Sequence, residues 1–294
     1  MNDMKCYWFI FCKDDLLLQH NEYGYAVPCS DTPPVKLAEW HTLINLPIMD
    51  GCQCKAVRVD APIINLDGFE MVGLRASFDV LPKEYYDMAG KAAELLYWDA
   101  SSKFCGVCGG PMKFHTDISK RCTNCGKEVW PQLATAIIVR VERGDEILMV
   151  RARNFRGAYY GLVAGFVETG ETLEQCVERE VWEETHIKVK NIRYFGSQPW
   201  PYPCGLMVAF VADYAGGELR RDASELSDAR WVNRNNMPDI PGRASIARQL
   251  IDDWLESFCH TDGAKCRGIF LIIMTRLFQF LLHIPQGYQY VENH

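Results

Sequence analysis

The segment from Gly165 to Ile187 reads "GFVETGETLEQCVEREVWEETHI" and contains the clearest helical pattern of the sequence. Thr172 and Gln175 match a capping box, in which each side chain accepts a hydrogen bond from the other residue's backbone N–H. The helix is therefore expected to begin at Thr172 and to continue to Thr185. At about 100° per residue, its apolar side chains form one stripe, so this face of the helix should pack against the rest of the protein.

Two carboxylates fall inside this apolar stripe. Glu180 and Glu184 lie within about 40° of each other around the helix, and Glu183 projects to the same side. Burying two like charges is costly unless a positive charge compensates them. A bound divalent cation supplies that charge, and ligands that are all oxygen favour Mg²⁺ or Mn²⁺ over zinc. The alternative is a solvated acidic face, which is common on helices.

The longer pattern decides between these two interpretations. Gly165 is followed after five residues by Glu171, and after seven more by the run "REVWEE", which starts at Arg179. This arrangement resembles the Nudix box, Gly-x5-Glu-x7-Arg-Glu-U-x-Glu-Glu-x-Gly-U, in which U is aliphatic. The resemblance covers 23 positions and departs at one of them, where His186 stands for the last glycine. Because a glycine normally lets the chain leave the helix there, we expect the loop after Thr185 to run differently.

The resemblance implies a function and a set of roles. Nudix hydrolases cleave a nucleoside diphosphate linked to another group, with Mg²⁺ or Mn²⁺ held against the pyrophosphate. Glu180 and Glu184 would be metal ligands, and Glu183 either a further ligand or the base. Arg179 would pair with a carboxylate of the box, such as Glu171, and orient it. The implied chemistry is metal-ion catalysis, in which the cations neutralise the diphosphate and acidify a bound water.

Four cysteines upstream of the box have the spacing of a zinc site. Two Cys-x-x-Cys knuckles, thirteen residues apart, can place four thiolates tetrahedrally around Zn²⁺. Gly109 and Gly126 follow the knuckles and allow tight turns around the sulfur atoms. Four protein ligands leave no open position, so the zinc is expected to be structural. The predicted ligands are Cys105, Cys108, Cys122 and Cys125.

A proline-rich segment, "SQPWPYPCGLM" from Ser197 to Met207, follows the box. Its composition alone favours a structural turn, although Trp200 and Tyr202 could also wall a pocket for a flat ring. The segment resembles the Ser-Gln-Pro-Trp-Pro-Phe-Pro-x-Ser signature of the NADH pyrophosphatase branch of the superfamily, the NudC type. Tyr202 stands for the phenylalanine and Gly205 for the last serine. The branch also has a four-cysteine zinc ribbon between an N-terminal domain and the Nudix domain, which is the order found here.

The branch implies further site residues at matching positions of this sequence. Ala164, through its backbone carbonyl, and Glu225 would join Glu180 and Glu184 as ligands of the catalytic metal. For Arg75, a surface ion pair is an equally good interpretation. Substrate contacts are implied for Arg75, Asp117, Trp130, Gln198, Pro199, Trp200, Pro201, Tyr202, Pro203, Cys204, Gly205 and Ala247.

Composition and charge restrict the class of protein. The 294 residues are 48% apolar and 23% charged, as is typical of a folded globular protein. The net charge of −7 argues against a protein that holds nucleic acid mainly by electrostatics. Thirteen cysteines without a signal-peptide pattern predict reduced thiols and a cytoplasmic protein. The apolar segment 268–285 is too short to span a bilayer, so we expect a buried or partner-facing helix, with an interfacial membrane contact as the alternative.

The remaining patterns complete the expected architecture. The segment 82–102 has helical spacing, with Ala89, Leu96 and Tyr97 among the residues on one side. Two β-rich runs over 134–153 meet at Arg143-Gly144-Asp145, which predicts a hairpin. We expect an α+β protein whose main domain is an α/β/α Nudix sandwich. Its parts would be a mixed α/β domain over 1–100, a zinc ribbon over 101–130, the Nudix domain over 131–258 and an apolar tail over 259–294.

The resemblance implies hydrolysis of NAD(H) to NMN(H) and AMP, with no stable membrane association. NAD-capped RNA is a second candidate substrate, because removing the cap breaks the same bond. The branch further implies a homodimer whose pocket is completed near the subunit interface. The alternatives are a Nudix hydrolase of ADP-ribose or another nucleoside diphosphate derivative, and a zinc-ribbon/Nudix regulator without catalytic activity.

Overall fold

The computed structural model describes residues 5–153 and 157–257, and within them three β-sheets follow one another along the chain. The first sheet has seven strands and is followed by a short 3₁₀-helix (Ala76–Asp79) and by helix α1 (Lys83–Ser101). Its strands are β1 (Cys6–Cys12), β2 (Asp15–Asn21), β3 (Gly24–Ala26), β4 (Cys29–Ser30), β5 (Ile44–Met49), β6 (Cys52–Arg58) and β7 (Phe69–Gly73).

The first sheet has the order β3-β2-β1-β6-β5, with β4 also beside β1 and β7 beside β2. Side chains of β1 alternate between its two faces, so Phe9 packs under α1 whereas Trp8 belongs to the core on the opposite face. The helix predicted over 82–102 is confirmed. Tyr97, however, is 41% exposed, and Trp98 takes the buried position. The helix is thus rotated slightly from the orientation that the pattern predicted.

The cysteine-rich segment forms a small antiparallel sheet of β8 (Met112–Thr116), β9 (Ser119–Cys122) and β10 (Glu128–Val129). Lys120 of β9 is buried and fastens this sheet to α1. Its ammonium pairs with Asp99 at 2.7 Å and lies 5.2 Å from the ring centroid of Trp98. Because a buried ammonium needs such partners, this contact fixes the segment against the helix.

The third sheet has the strand order β14-β15-β11-β12-β16, with β13 also beside β11. Its strands are β11 (Ala134–Arg143), β12 (Glu146–Ala152), β13 (Val163–Phe166), β14 (Ile187–Trp200), β15 (Gly205–Gly217) and β16 (Leu226–Asn233). Helices α2 (Leu173–Thr185) and α3 (Ile246–Ser257) and a 3₁₀-helix (Arg234–Asn236) complete this part. Arg143 pairs with Glu146 across a two-residue turn, which confirms the predicted hairpin.

The two helices cover opposite faces of the third sheet. Val181 of α2 packs with Ile137 of β11, whereas Leu250 of α3 packs with Ile138, the next residue of the same strand. Successive residues of a strand point to opposite faces, so one strand supplies both cores. The predicted α+β fold with an α/β/α sandwich is confirmed.

Both ends of α2 depend on single residues. Thr172 caps the helix, and its capping box with Gln175 is present as predicted. At the other end, His186 adopts the left-handed conformation, with φ of 57° and ψ of 24°. This is the conformation that a glycine favours at a helix end. The chain then enters β14 directly at Ile187, so the expectation of a different course after Thr185 is wrong, because His186 takes the backbone conformation that a glycine would take.

The predicted apolar helix over 268–285 lies outside the described residues. Among the helices of residues 5–153 and 157–257, none is long and apolar enough to cross a membrane.

Candidate active site

Helix α2 places the carboxylate of Glu180 against the backbone of β13. A Cβ added at Gly165 would come within 3.0 Å of this carboxylate, a separation that real Cβ atoms essentially never show. Gly165 does not have a positive φ. The first glycine of the box is therefore required for close approach of the carboxylate and not for an unusual backbone conformation.

Arg179 holds three carboxylates and one carbonyl group together. Its Nε and Nη2 donate to the two oxygens of Glu171, at 3.0 and 2.7 Å. Its Nη1 donates to Glu180 at 2.9 Å and to Glu183 at 3.0 Å. Nη2 also donates to the carbonyl oxygen of Phe166, at 2.9 Å. The bonds from Arg179, with one from the backbone N–H of Glu168, lower the pKa of Glu171 to about 2.

Glu184 is buried without a cationic partner of this kind. Its side chain is 7% exposed, and its Oε2 has no hydrogen-bond partner among the described residues. Burial, followed by the negative charges of Glu180, Glu225 and Asp222, raises the pKa of Glu184 to about 8. Burial also raises the pKa of Glu180, although Arg179 opposes this shift. The surroundings of both carboxylates therefore make their ionised forms less favourable.

The segment before β16 brings two further acids to this end of the helix. The backbone N–H of Asp222 donates to the carbonyl oxygen of Glu184 at 2.8 Å. Hydrogen bonds from Ser224 lower the pKa of Asp222. Glu225 is exposed, and its charge raises the pKa of both Glu180 and Glu184. Glu225 thus lies near these carboxylates, and its role as a metal ligand stays a prediction.

A divalent cation fits this set of donors. Two buried carboxylates repel each other, and one oxygen of Glu184 lacks a partner, so a bound cation would offset both costs. Carboxylate oxygens are the ligands that such cations prefer. We call Glu180, Glu184 and Glu225 the acidic group. Their ligand atoms are farther apart than those of the cysteine quartet. In the part of the chain that the structure describes, only the quartet has three or more possible ligand atoms within 4.8 Å of one another.

A cavity of about 470 Å³ opens beside the acidic group. Ala164 of β13 lines it, and the next residue, Gly165, lies against the Glu180 carboxylate. Ile138 and Met207 contribute an apolar floor from β11 and β15. The consecutive residues 241–247, which include Ala247, form one wall. A pocket of this volume and apolar character suits a small organic ligand.

Arg75 reaches this cavity from the first domain. Its guanidinium lies 4.8 Å from the ring centroid of Trp200 and 5.2 Å from that of Tyr202. Trp200 and Arg75 both line the cavity. Within residues 5–153 and 157–257, Arg75 forms no ion pair, so the surface ion pair considered for it is not found.

The proline-rich segment connects the first domain to the third sheet. The hydroxyl of Tyr202 lies 3.1 Å from that of Tyr86 on α1. Pro201 packs so closely on Gly90 of α1 that a Cβ there would be 3.1 Å from its Cγ. Of the described residues 198–205, Trp200 alone lines the 470 Å³ cavity. The other residues of this segment, for which substrate contacts were expected, therefore do not line the cavity.

The other members of this segment have backbone or packing positions. Pro199 is in β14, opposite Leu206 of β15. Pro203 follows a cis peptide bond. A Cβ added at Gly205 would be 3.1 Å from the carbonyl oxygen of Trp200. A serine at this position would thus press on Trp200.

Asp117 and Trp130 lie away from the 470 Å³ cavity in the single chain. Trp130 is 52% exposed and lines a second cavity, of about 520 Å³, together with Cys204. Asp117 lines a third, where the side-chain amide of Asn45 donates to it at 3.4 Å. One chain by itself does not bring these two residues together with Arg75.

The four predicted zinc ligands come together. The Sγ atoms of Cys105 and Cys125 are 3.6 Å apart, and those of Cys108 and Cys122 are 3.5 Å apart. Tetrahedral Zn²⁺ with Zn–S bonds of about 2.3 Å separates its sulfur ligands by about 3.8 Å. Backbone N–H groups lower the pKa of Cys122 to about 6, which favours the thiolate. The quartet has the geometry of a structural zinc site.

Two residues at the site were not predicted from the sequence. Asp222 adds its charge to the acidic group, but it lies outside the box and no local pattern marks it. Phe166 is 65% exposed and shares a face of β13 with Ala164, because alternate residues of a strand point the same way. Its contact with the site is through its backbone carbonyl oxygen, which accepts from Arg179 at 2.9 Å.

The third sheet lies between two helices, and the carboxylate of Glu180 on one of them lies against Gly165 of β13. These features define a Nudix-type protein. Family models match three consecutive parts of the chain: an NADH pyrophosphatase-like rudimentary NUDIX domain at residues 5–98, an NADH pyrophosphatase zinc ribbon domain at 100–129 and a NUDIX domain at 130–254. The chain is 42% identical over 183 residues to NAD-capped RNA hydrolase NudC of Chromobacterium violaceum, covering 62% of this chain and 69% of that protein. The chain belongs to the NADH pyrophosphatase branch of the Nudix family.

One further relative and one solved structure are also similar to this chain. NAD-capped RNA hydrolase NudC of Pectobacterium atrosepticum is 46% identical over 169 residues, which is 57% of this chain. The match spans 65% of the length of that relative. A crystal structure of a NUDIX hydrolase from Nitrosomonas europaea is 23% identical, with a TM-score of 0.47, over 54% of this chain and 93% of that one.

Proposed function

We propose that this protein hydrolyses the central pyrophosphate of NAD(H) to give NMN(H) and AMP, and that it acts on NAD-capped RNA by the same bond cleavage. The main support is the arrangement around β13. Ala164 lines an apolar cavity, whereas its neighbour Gly165 lies against the carboxylate of Glu180. The cavity and the acidic group thus lie at adjacent residues on the two faces of β13, so a substrate with a ring in the cavity would extend its diphosphate across this strand to the carboxylates. The NudC relatives support the same class of substrate.

The acidic group would hold Mg²⁺ or Mn²⁺ through Glu180, Glu184 and Glu225, with the carbonyl oxygen of Ala164. When bound, the ion neutralises the diphosphate and acidifies a water. The side chain of Glu183 is 57% exposed and extends toward solvent, so it serves as a further ligand or as the base. Arg179 keeps Glu180 in place.

The cavity would hold one ring of the substrate. Trp200 offers an aromatic face, and Arg75 beside it carries a positive charge that suits a phosphate. The apolar floor excludes water from the bound ring.

We further propose a homodimer in which each chain completes the site of the other. Four large apolar side chains around the 520 Å³ cavity form a contiguous exposed group, which we name the ribbon-side patch: Tyr97, Ile118, Trp130 and Leu133. A contiguous apolar patch of this kind is typical of an interaction surface. Because Trp130 and Asp117 do not reach the 470 Å³ cavity of their own chain, a contact with substrate requires a second copy.

The zinc would hold the ribbon in shape, and Lys120 holds the ribbon on α1. Arg75 of the first domain lies 4.8 Å from the ring centroid of Trp200. None of the eleven cysteines of the described residues forms a disulfide, which suits the cytoplasm.

The experiment that tests this proposal is a product assay with NADH, NAD⁺, ADP-ribose and an NAD-capped oligonucleotide, each with Mg²⁺ and with Mn²⁺. The expected result is release of NMN(H) and AMP from NAD(H), with ADP-ribose a poor substrate. Cleavage of ADP-ribose alone would replace the proposal by a different Nudix specificity. No cleavage in the presence of bound metal would indicate a regulator.

A further inference from the structure

Both ends of the side-chain amide of Gln198 bond to backbone groups. Its Nε2 donates to the carbonyl oxygen of Ala244 at 2.7 Å, and its Oε1 accepts from the N–H of Ile246 at 2.7 Å. Ile246 is the first residue of α3, so its N–H is one of those that helix geometry leaves without a partner inside the helix. One amide on β14 thus satisfies both backbone groups at the point where the preceding loop becomes a helix.

These backbone groups belong to the wall of the 470 Å³ cavity. All seven residues of 241–247 line the cavity, whereas Gln198 itself does not. The hydrogen bonds from Ser245 to the carbonyl oxygen of Gly242, at 3.3 and 3.2 Å, stay within this wall. The bonds from Gln198 are shorter and connect the wall to the sheet.

We propose that Gln198 is a positioning residue, which sets the width of the cavity by holding the 241–247 wall against β14 and does not bond to the substrate through its amide. Glutamine suits this role because its amide carries a donor and an acceptor side by side at the end of the side chain. A glutamate at neutral pH has no donor for Ala244, and a methionine has neither group. The expected change in KM rests on the proposed function, whereas the expected change in hydrogen exchange of the wall does not.

The test compares Gln198→Glu and Gln198→Met with the wild type in two measurements. The first is amide hydrogen exchange of a peptide covering residues 241–250, in the full-length protein without substrate. The second is the KM and kcat for NADH with Mg²⁺. The matched control is Gln249→Glu, the same chemical change at an exposed residue of α3 whose side chain has no hydrogen bond within the described residues. Zinc content and melting temperature check folding.

If Gln198 positions the wall, Gln198→Glu exchanges faster in 241–250 by about fivefold and Gln198→Met by about 25-fold, since each lost hydrogen bond is worth about fivefold in equilibrium and the two variants lose one and two bonds. KM then increases by about five- to twentyfold, while kcat, which depends on the carboxylates of α2, changes by less than about threefold. Gln249→Glu changes neither.

Unchanged exchange in the substrate-free variants would overturn the proposal, and a raised KM would then indicate direct contact with the substrate. Faster exchange with an unchanged KM would overturn the claim that the wall sets the fit of the substrate. If the wild type cleaves no NADH, the proposed function fails, yet the exchange data still decide whether Gln198 holds the wall.

Discussion

The carboxylate of Glu180 occupies the space that a side chain at Gly165 would need. Because φ at Gly165 is not positive, an alanine there is compatible with the backbone but not with the carboxylate. Gly165→Ala should therefore displace Glu180 and reduce kcat/KM by about 10- to 100-fold, the range for substitutions beside a metal ligand. Steady-state kinetics with NADH and Mg²⁺ measure the loss.

The control for this change is Gly196→Ala in β14. A Cβ at Gly196 would meet only Ile246, at an ordinary distance of 3.9 Å. This variant should keep most of the activity. Equal losses in both variants would mean that the effect of Gly165→Ala is general and does not come from Glu180.

Arg75→Met removes the guanidinium from the ring of Trp200 and keeps most of the side-chain length. A cation–π contact is worth about 1–2 kcal/mol when it is partly desolvated. We expect KM for NADH to increase about 5- to 30-fold with little change in kcat. Lys55→Met is the matched control, because Lys55 lies 5.7 Å from the ring centroid of Trp8 in the first sheet. A similar increase in KM in both variants would argue against a role for Arg75 at the cavity.

Glu94 on α1 should make stability depend on pH. Burial raises the pKa of Glu94 to about 7, and its Oε1 has no partner among the described residues. The folded state therefore binds this proton more tightly than the unfolded state. Its contribution is fully present below the usual glutamate pKa and is lost as the pH rises through about 7. Glu94→Gln should thus be more stable than wild type by about 2 kcal/mol at pH 8, and by less at pH 5.

Chemical denaturation of the two proteins at pH 5, 6, 7 and 8 measures this difference. The measurement compares variant with wild type at each pH, so titration of other groups cancels to first order. A difference in unfolding free energy that does not change with pH would contradict the prediction.

Removal of zinc should unfold the ribbon and loosen its attachment to α1. Binding energy of a structural zinc is folding energy. Cys122→Ser should therefore lower the melting temperature by about 10 °C. Cys204→Ser, a substitution outside the quartet, is the control for thiol loss. Full zinc content in Cys122→Ser, measured by atomic absorption, would contradict the assignment of this ligand.

Trp130→Glu places a charge in the ribbon-side patch and should dissociate the proposed homodimer. Light scattering should give twice the chain mass of 33.6 kDa for the wild type and a single chain mass for the variant. Tyr23→Glu is the control, because Tyr23 is 89% exposed in the first domain, away from the patch. A wild type that is monomeric at all concentrations would refute the dimer.

Local patterns made much of the fold and the acidic helix predictable. The capping box of Thr172 and Gln175 and the stripe that contains Glu180 and Glu184 depend on residues three or four positions apart. Spacing also identified the cysteine quartet, because zinc ligation restricts how far apart the knuckles can be. His186 shows the limit of such patterns, since a histidine can take the left-handed conformation that the box assigns to glycine.

Contacts between residues that are far apart in the sequence could not be predicted from such local patterns. Asp222 reaches Glu184 only because the chain after β15 folds back on α2. The contact of Gln198 with Ile246 joins residues 48 positions apart. Tyr97 is exposed because α1 packs on the first sheet with Trp98 in the core. Each of these depends on tertiary packing and leaves no local signal.

We propose that the buried carboxylates of α2 carry the hydrolysis of NAD(H). The measurement that tests it most directly is NMNH and AMP formation from NADH by wild type, Glu184→Gln and Glu178→Gln, each with Mg²⁺ and with Mn²⁺. Glu178 is an exposed residue of the same helix and serves as the matched control. We expect turnover by wild type and Glu178→Gln, and loss of turnover in a folded Glu184→Gln. Unchanged turnover in Glu184→Gln would contradict the account.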